Sequence, residues 1–482
     1  MSLSGALSNA MSGLVANARG TSVISSNIAN ALNEHYGRRE VSLSTNATQT
    51  SGGVIVAQIT RQSDPVLAHQ KRVALAEQAA AFAHATFQGS LENLVGSIDT
   101  IGSLAQKLTG FEAALLSAAS DPSSETRLRN VSYAAEDFAS GLRKASTGLD
   151  RLRERADAGI AIAVDQMNAG LSELDRLNNQ IMTAKHLGQD VLGLLDRRDA
   201  ALDALAVHVP LHVVERDSGA ISVFTAQGRT LLDEHAVRIG FTPSVTILPH
   251  MTAANGLLSG LTIDGKFLDL PGPALMQGGA LEAQFHLRDT EAPDAQRRLD
   301  GIARDVIDRF GPAGPDATLG ATDAGLFTDA GMPLSPGSEI GLAGRISLSL
   351  ALTASTVEPW RWRAGINAPS PGDVGQSALL LALRDQVSAT LSPGSSALGL
   401  APRSLVDHVH RFASDIGADR IRTGNSAEAM TTRLEDLRQA SAEKGVNTDR
   451  ELQDLIQLEK SYAANARVVQ VVDDMLSELL RI

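Results

Sequence analysis

The sequence of 482 residues contains no cysteine. Disulfides, thiolate-bound zinc, iron–sulfur clusters and thiol nucleophiles are therefore excluded, and any enzymatic chemistry would depend on carboxylates, histidines or hydroxyls. Aromatic residues are scarce, with 11 Phe, 2 Trp and 3 Tyr. Few rings are available for stacking on a ligand, so the cores are expected to consist of Leu, Ala, Val and Ile.

Positive charge is in deficit, because 42 Lys and Arg stand against 55 Asp and Glu and give a net charge of −13. This balance argues against nucleic acid as a partner. The sequence has no uninterrupted apolar run of about 20 residues, so we expect no membrane insertion. Residues 1–18 contain no Lys or Arg, and the positive segment of a cleaved secretory signal is thus missing. The length favours two to four domains.

Both ends of the sequence repeat an alternating spacing of three and four, the pattern of a helical seam. At the N-terminal end these positions are Leu3, Leu7, Ala10, Leu14, Asn17, Thr21, Ile24, Ile28 and Ala31. At the C-terminal end they are Leu455, Leu458, Tyr462, Asn465, Val469, Val472, Leu476 and Leu479. The sequence predicts a long amphipathic helix at each end.

The N-terminal helix differs from a solvated surface helix, because residues 1–33 carry the single charge of Arg19 among Ser, Asn, Ala and Gly. One interpretation is an ordinary bundle in which the C-terminal helix packs beside the N-terminal one. The other is that small neutral side chains allow close packing among copies of the chain. In that case we expect both ends to be largely disordered in the free monomer.

Two terminal motifs resemble the bacterial flagellar axial proteins, which are the rod, hook and hook-associated subunits. The N-terminal motif is Ser26-Asn27-Ile28-Ala29-Asn30-Ala31, and the C-terminal one combines Gly445-Val446-Asn447 with Tyr462 and Ala464-Asn465-Ala466. The family's usual Asn-x-x-x-Pro-Gly-Tyr turn lacks its proline here and reads Asn33-Glu34-His35-Tyr36-Gly37. The conformation of this turn is therefore open.

Interior segments are similar to the hook-associated protein 1 family. The matching segments are Leu194-Leu195-Asp196-Arg197-Arg198-Asp199, Gly278-Gly279, Arg288-Asp289, Leu299-Asp300 and Gly341-Leu342-Ala343-Gly344-Arg345. The resemblance implies a structural adaptor that joins hook to filament by self-assembly into a tubular junction layer. It also implies three kinds of partner: copies of itself, the hook protein with the next junction protein, and an export chaperone. Export would use the flagellar type III pathway, without a cleaved signal, to an extracellular site on the flagellum.

The expected fold is α+β and multidomain, with long terminal coiled-coil helices, an elongated helical bundle formed by both chain halves, and an inserted β-rich domain. Helix is predicted from Asp64 to about Ala206, over 279–310, and from about 372 to the end. Asp264-Gly265 predicts a two-residue hairpin. The domains are expected at 1–40 and 445–482 (terminal helices), at 41–206, 279–310 and 366–444 (bundle), and at 207–278 and 311–365 (β-rich insertion).

The assembly interface is expected to comprise Leu3, Leu7, Leu14, Asn27, Ile28, Asn30, Leu455, Leu458, Tyr462, Asn465, Val469, Val472 and Leu476. The alternative function is another axial subunit, a hook or distal rod protein, whose middle would be mostly β. A free-standing coiled-coil module would need charged flanking positions, and a hydrolase would need a buried carboxylate pair in a pocket.

Four patterns could indicate chemistry, and each has a simpler explanation. The hairpin accounts for the phosphate-loop-like Gly260 to Lys266. His408 and His410 are two apart and do not share a helix face. Asp196 to Asp199 is explained by an exposed helix with pairing at spacing three. Trp360 and Trp362 are expected on one strand face as packing anchors. We therefore expect no catalytic, cofactor-binding or metal-ligating residues and no cofactor.

Overall fold

The computed structural model describes residues 3–45, 52–268, 276–335 and 337–479. Helices dominate, and small sheets make the fold α+β. The helices are α1 Leu3–Ala29, α2 Pro65–Val95, α3 Leu104–Ser120, α4 Glu125–His186, α5 Leu192–Ala206, α6 Gly279–His286, α7 Ala292–Arg309, α8 Leu342–Arg345, α9 Arg361–Ala364, α10 Ala378–Ser388, α11 Leu405–Lys444 and α12 Thr448–Leu479. A π turn, Leu287–Glu291, joins α6 to α7. None of the described helices is long and apolar enough to cross a membrane.

The strands form small antiparallel sheets. The strands are β1 Arg39–Thr45, β2 Val54–Arg61, β3 Leu211–Glu215, β4 Ile221–Thr225, β5 Thr230–Leu232, β6 Ile239–Gly240, β7 Thr262–Ile263, β8 Lys266–Phe267, β9 Phe327–Asp329 and β10 Ile346–Leu348. The sheets pair β1 with β2, β3 with β4 and β5, β6 with β7 and β8, and β9 with β10.

The chain divides into two compact units. Unit 1 comprises Met1–Leu75, Ala169–Ala236 and Thr431–Ile482, and unit 2 comprises Ala76–Asn168 and Val237–Met430. Helices α2, α4 and α11 contribute residues to both units. The domain boundaries expected from the sequence remain a prediction.

The core of unit 2 contains a group of large aromatic rings. Phe111 contacts Phe310, Phe327 and Trp362 with ring centroids 5.9, 5.8 and 6.4 Å apart. The Trp362 indole nitrogen donates a hydrogen bond of 2.8 Å to Ser132 Oγ, so its one polar atom is satisfied in the apolar interior. The expected packing role is confirmed for Trp362, but the expected strand is wrong. Trp362 lies on the short helix α9.

Local signals predicted several elements correctly. The helices expected between Asp64 and Ala206 are α2 to α5, and Ser124 caps α4 by accepting a hydrogen bond from the Arg127 amide. The Asp264-Gly265 hairpin is confirmed, with φ of 49° and 76° between β7 and β8. The helix expected from about 372 onward is interrupted, because residues 389–404 between α10 and α11 are mostly irregular.

One element was not predicted. Strands β1 and β2 pair antiparallel, with a register shift between Ser42 and Leu43. The alternation of Val41 with Leu43, and of Ile55 with Ile59 across Ala57, is a weak strand signal. The hairpin follows α1 directly and packs against it, so it is part of the surroundings of the terminal helices.

Candidate assembly surface

The two terminal helices pack against each other in opposite directions within unit 1. Asn17 Nδ2 donates to Ser461 Oγ over 3.0 Å, and Asn27 Nδ2 donates to Glu451 Oε2 over 3.0 Å. Residues nearer the C-terminal end of α1 therefore contact residues nearer the N-terminal end of α12. Gly13, Gly20 and Asn27 are seven apart along α1 and face Asn465, Leu458 and Glu451, which are seven apart along α12.

Glycine permits the close approach of these helices. A Cβ atom on Gly20 would lie 2.7 Å from Leu458 Cδ1, and one on Gly13 would lie 2.6 Å from Asn465 Nδ2. Both distances are shorter than van der Waals contact, so a side chain at either position would require Leu458 or Asn465 to move. Part of the small-residue pattern in the N-terminal segment therefore serves packing inside one chain.

Asn27 joins α1 to the segments around it. Its Nδ2 donates to Arg39 O at 2.9 Å and to Glu451, while its Oδ1 accepts from Tyr36 Oη at 2.9 Å and from Arg39 N at 3.0 Å. The side chain is 1% exposed. Its amide thus satisfies the backbone of Arg39 at the start of β1. Tyr36 makes this contact although the turn before it lacks proline; the turn is closed by the Tyr36 amide, which donates to Asn33 O at 3.0 Å.

Glu451 is the buried charge at the start of α12. It accepts a hydrogen bond of 2.7 Å from Arg38 Nε as well as the one from Asn27. Its position in the first helical turn is favourable for a carboxylate because the backbone N–H groups of that turn carry partial positive charge. Asn447 caps the helix through its Oδ1, which accepts from the Arg450 amide at 3.0 Å.

The predicted interface residues lie in three environments. Asn27 and Val472 are buried within the chain, and Tyr462 and Leu476 are exposed at 49% and 40%. The remaining ones are half-buried: Leu3, Leu7, Leu14, Ile28, Asn30, Leu455, Leu458, Asn465 and Val469. Leu7 lines one shallow pocket together with Val469, Val472 and Leu476. The structure thus brings the apolar positions of the two ends together in one place.

A further set of apolar side chains on α12 lies outside the predicted seam and is exposed to solvent. These side chains are Leu452, Ile456, Val468, Val471 and Met475. Val468, Val471 and Met475 follow spacings of three and four and form a second stripe beside Leu476. The sequence contained this signal, but the stronger heptad seam concealed it. We call Val468, Val471, Met475 and Leu476 the outer stripe.

Acidic residues on α5 hold the β1–β2 hairpin. Asp196 accepts hydrogen bonds from Arg61 Nε at 2.8 Å and from the Gly37 amide at 3.0 Å, and Asp199 accepts from Arg61 Nη2 at 2.6 Å and Arg72 Nη2 at 2.8 Å. The interpretation of this segment as an exposed helix with internal pairing is therefore wrong. The carboxylates pair with arginines distant in sequence, which no local spacing reveals.

Asp203 completes the acidic face of α5, seven residues after Asp196. It pairs with Arg72 Nε and Lys71 Nζ, each at 2.7 Å. Burial acts to raise its pKa, but the His35 ring 3.5 Å away and the charges of Arg72 and Lys71 outweigh burial and hold the pKa well below its usual range. The chemistry of this cluster is that of a structural ion-pair network.

Two models of known protein families match parts of this chain. The family model described as "Flagellar hook-associated protein FlgK helical domain" matches residues 89–313. A second, "Flagellar basal body rod FlgEFG protein C-terminal", matches residues 439–482, which include α12.

Two relatives match over nearly the whole chain, and one solved structure matches over about half of it. Flagellar hook-associated protein 1 of Bacillus subtilis (strain 168) is 23% identical over 516 residues, covering 98% of this chain and 97% of its own length. The protein of the same name from Escherichia coli (strain K12) is 24% identical over 558 residues, with both chains covered fully at 100%. The solved structure of the flagellar hook junction protein FlgK from Burkholderia pseudomallei is 22% identical, with a TM-score of 0.44 over 54% of this chain and 46% of that one.

A helical domain of the hook-associated type, followed by the C-terminal segment of rod proteins, defines the chain as a flagellar axial protein. Within that class the chain is similar to flagellar hook-associated protein 1, by the helical-domain model and by two relatives that match over nearly the whole chain. The resemblance stated from the sequence is confirmed. The family is one of structural proteins of the bacterial flagellum.

Proposed function

We propose that the protein is a structural adaptor that joins the flagellar hook to the filament by assembling with copies of itself into a tubular junction layer. Its partners would be sister subunits, the hook protein on one side, the next junction protein on the other, and a chaperone during type III export. No step of this function requires catalysis. Full-length similarity to hook-associated protein 1 from two organisms supports the adaptor role.

The observation that carries the self-assembly proposal is the outer stripe on α12. After α1 has packed against α12, Val471 and Met475 remain 50% and 49% exposed. Exposed apolar side chains grouped on one helix commonly mark an interaction surface. The face of α12 that points away from α1 is polar, because exposed Gln453, Lys460, Arg467 and Asp474 recur every seven residues along it. Val468, Val471 and Met475 lie between this polar face and the seam with α1, where a neighbouring subunit could cover them.

The shape of the terminal pair supports a repeating contact. A subunit that assembles head to tail needs two different surfaces, one of which contacts the other on the next copy. The outer stripe supplies one, and the exposed Met11 and Val15 on α1, at 56% and 63%, supply a candidate for the other. We propose that the α1–α12 pairs form a coiled-coil inner wall and that the remaining domains lie outside it.

A hook or distal rod protein is the alternative within the same class, since the match at residues 439–482 is to a rod-protein segment. The helices between residues 65 and 206 favour the junction protein, because that region overlaps the matched helical domain of hook-associated proteins.

The test is to place charges on the outer stripe. Val471→Asp combined with Met475→Asp should block incorporation into flagella and abolish swimming when the variant replaces the cell's own copy. The melting temperature of the purified chain should barely change, because both side chains are already half exposed. Microscopy of labelled protein at the hook end, together with calorimetry, measures both quantities.

Gln453→Asp is the control, since it adds a negative charge to an exposed position of the same helix outside the outer stripe. It should assemble normally. The self-assembly proposal fails if the Val471 and Met475 double variant still forms junctions. It also fails if the double variant melts far below the control, because these residues would then belong to the monomer's own core.

A further inference from the structure

Two histidines and one glutamate converge in unit 2. His84 lies on α2, whereas His286 ends α6 and Glu291 ends the π turn. The Nδ1 atoms of His84 and His286 lie 2.7 and 3.2 Å from the same oxygen, Glu291 Oε1. One potential ligand atom from each of the three residues lies within 4.8 Å of the others.

The π turn brings two of these residues together. In a π turn the N–H of one residue bonds to the carbonyl five positions earlier, as Ala292 N–H does to Leu287 O. Residues five apart are then neighbours along the helix, and His286 and Glu291 have this spacing. Pro293 follows directly, and a proline ring has no N–H to donate and crowds the carbonyl four residues before it, which favours the wider turn. Single π turns are frequent at functional sites.

We propose that His84, His286 and Glu291 form a binding site for one zinc ion. Two imidazole nitrogens and one carboxylate oxygen are a donor set that zinc accepts, with ligand distances of about 2.0–2.2 Å. Three protein ligands leave the fourth tetrahedral position to water. The sequence gives no sign of this site, because His84 and Glu291 are 207 residues apart and match no spacing motif.

The surroundings of the site fit this role. Gln88 Nε2 donates a hydrogen bond of 2.9 Å to Glu291 Oε2, the oxygen that does not face the histidines. Residues that hydrogen-bond to a ligand in this way orient it and raise metal affinity. His84 and Glu291 are half-buried and His286 is exposed, which leaves an ion a way in.

A bound ion would link α2 to the segment α6–α7. Since the three ligands come together only in the folded chain, the binding free energy would add to the stability of the folded state. The competing explanation is an ion pair in which a protonated histidine faces Glu291 and no metal binds. The two explanations differ in a direct binding measurement.

The experiment uses the purified full-length chain, freed of metal with a chelator. Calorimetric titration with ZnCl₂ should show one site per chain, and CoCl₂ should produce the visible absorption bands of tetrahedral cobalt. His84→Gln and His286→Gln should each weaken zinc binding more than about 100-fold, beyond the about 10- to 100-fold effect expected for the orienting residue in Gln88→Ala. His250→Gln changes an exposed histidine outside the cluster and should bind as the parent does.

Zinc should also raise the melting temperature of the parent and of His250→Gln, and leave that of His84→Gln unchanged. If His84→Gln fails to fold by circular dichroism, His286→Gln provides the same test, since its ring is already exposed. The proposal is overturned if the parent binds no zinc. It is equally overturned if both histidine variants bind zinc as tightly as the parent, because the ion would then bind elsewhere.

Discussion

Two carboxylates on α4, Asp150 and Asp157, lie about two helical turns apart and show how the surroundings decide the cost of burying a charge. Asp157 is paired, since its Oδ1 accepts from Arg288 Nη1 at 2.6 Å and its Oδ2 from the Ser244 amide at 2.6 Å. Asp150 has fewer hydrogen-bond partners, because its buried Oδ1 accepts no hydrogen bond from any described residue. Burial raises the pKa of Asp150 to about 6, assisted by Glu154 and Asp300 and opposed by Arg153.

A prediction about pH follows for Asp150. Its pKa is raised in the folded state, so between about pH 4 and pH 6 the unfolded chain loses this proton first and the free energy of unfolding falls as pH rises. Asp150→Asn removes the charge. The variant should match the parent near pH 4 and exceed it by roughly 1–3 kcal/mol above pH 6. Urea unfolding at pH 4.5 and pH 7.5 measures the difference, and an equal gap at both values would contradict it.

Among single residues, positions on a helix face are predictable from the sequence, but contacts between distant residues are not. The heptad spacing placed Val472 and Leu458 on the seam correctly, because helical periodicity is a local property. The partners of Asp196 could not be inferred, because Arg61 lies 135 residues away and only the fold brings them together. For the same reason the cluster around Glu291 had no signature in the sequence.

At the scale of the element, α1 and α12 are joined by polar anchors at one end and by an apolar seam along the rest. The first Asn of the N-terminal motif is the main anchor, since Asn27 makes four hydrogen bonds, whereas the side chain of Asn30 donates one, to Ser26 O at 2.9 Å. The two asparagines of the motif therefore have different roles. Asn27 is buried between segments, and Asn30 helps to end α1.

Asn27→Ala should loosen the pairing of α1 with α12. It leaves the Arg39 backbone and Glu451 with unsatisfied groups, each of which costs about 1–3 kcal/mol when buried. We expect the amides of α12 to exchange with solvent at least about tenfold faster, a change of about 1.4 kcal/mol. Asn30→Ala is the control, because it removes one half-exposed contact and should leave the exchange of α12 nearly unchanged. Equal effects of the two variants would show that Asn27 is not an anchor.

At the scale of the whole molecule, the question is whether the two ends meet before assembly. The sequence predicts that both ends are largely disordered in the free monomer, whereas the structure packs α1 and α12 together as helices. The two possibilities differ in one observable, the proximity of the two helices in the isolated chain. The absence of cysteine makes this observable easy to measure.

Asn17→Cys combined with Ser461→Cys should form a crosslink within one chain under mild oxidation, because the two side chains contact each other at 3.0 Å. Denaturing gel electrophoresis would show a faster-moving monomer band. Asn17→Cys combined with Gln453→Cys is the control, since Gln453 lies on the polar face of α12 and should not react. Failure of the first pair in the monomer, with success in assembled flagella, would mean that the ends order only on assembly.

The sequence by itself determined the elements and the family. Helical periodicity, caps, the Asp264-Gly265 turn and the terminal motifs are local patterns, and local patterns can be read along the chain without knowledge of the fold. The tertiary structure alone decided which surfaces are used inside the molecule. It packs Gly20 against Leu458, buries Asn27, and leaves Val471 and Met475 exposed. The physical reason is that the periodicity of the sequence gives a helix an apolar face. Which part of that face is covered depends on the packing of segments that are distant in the sequence.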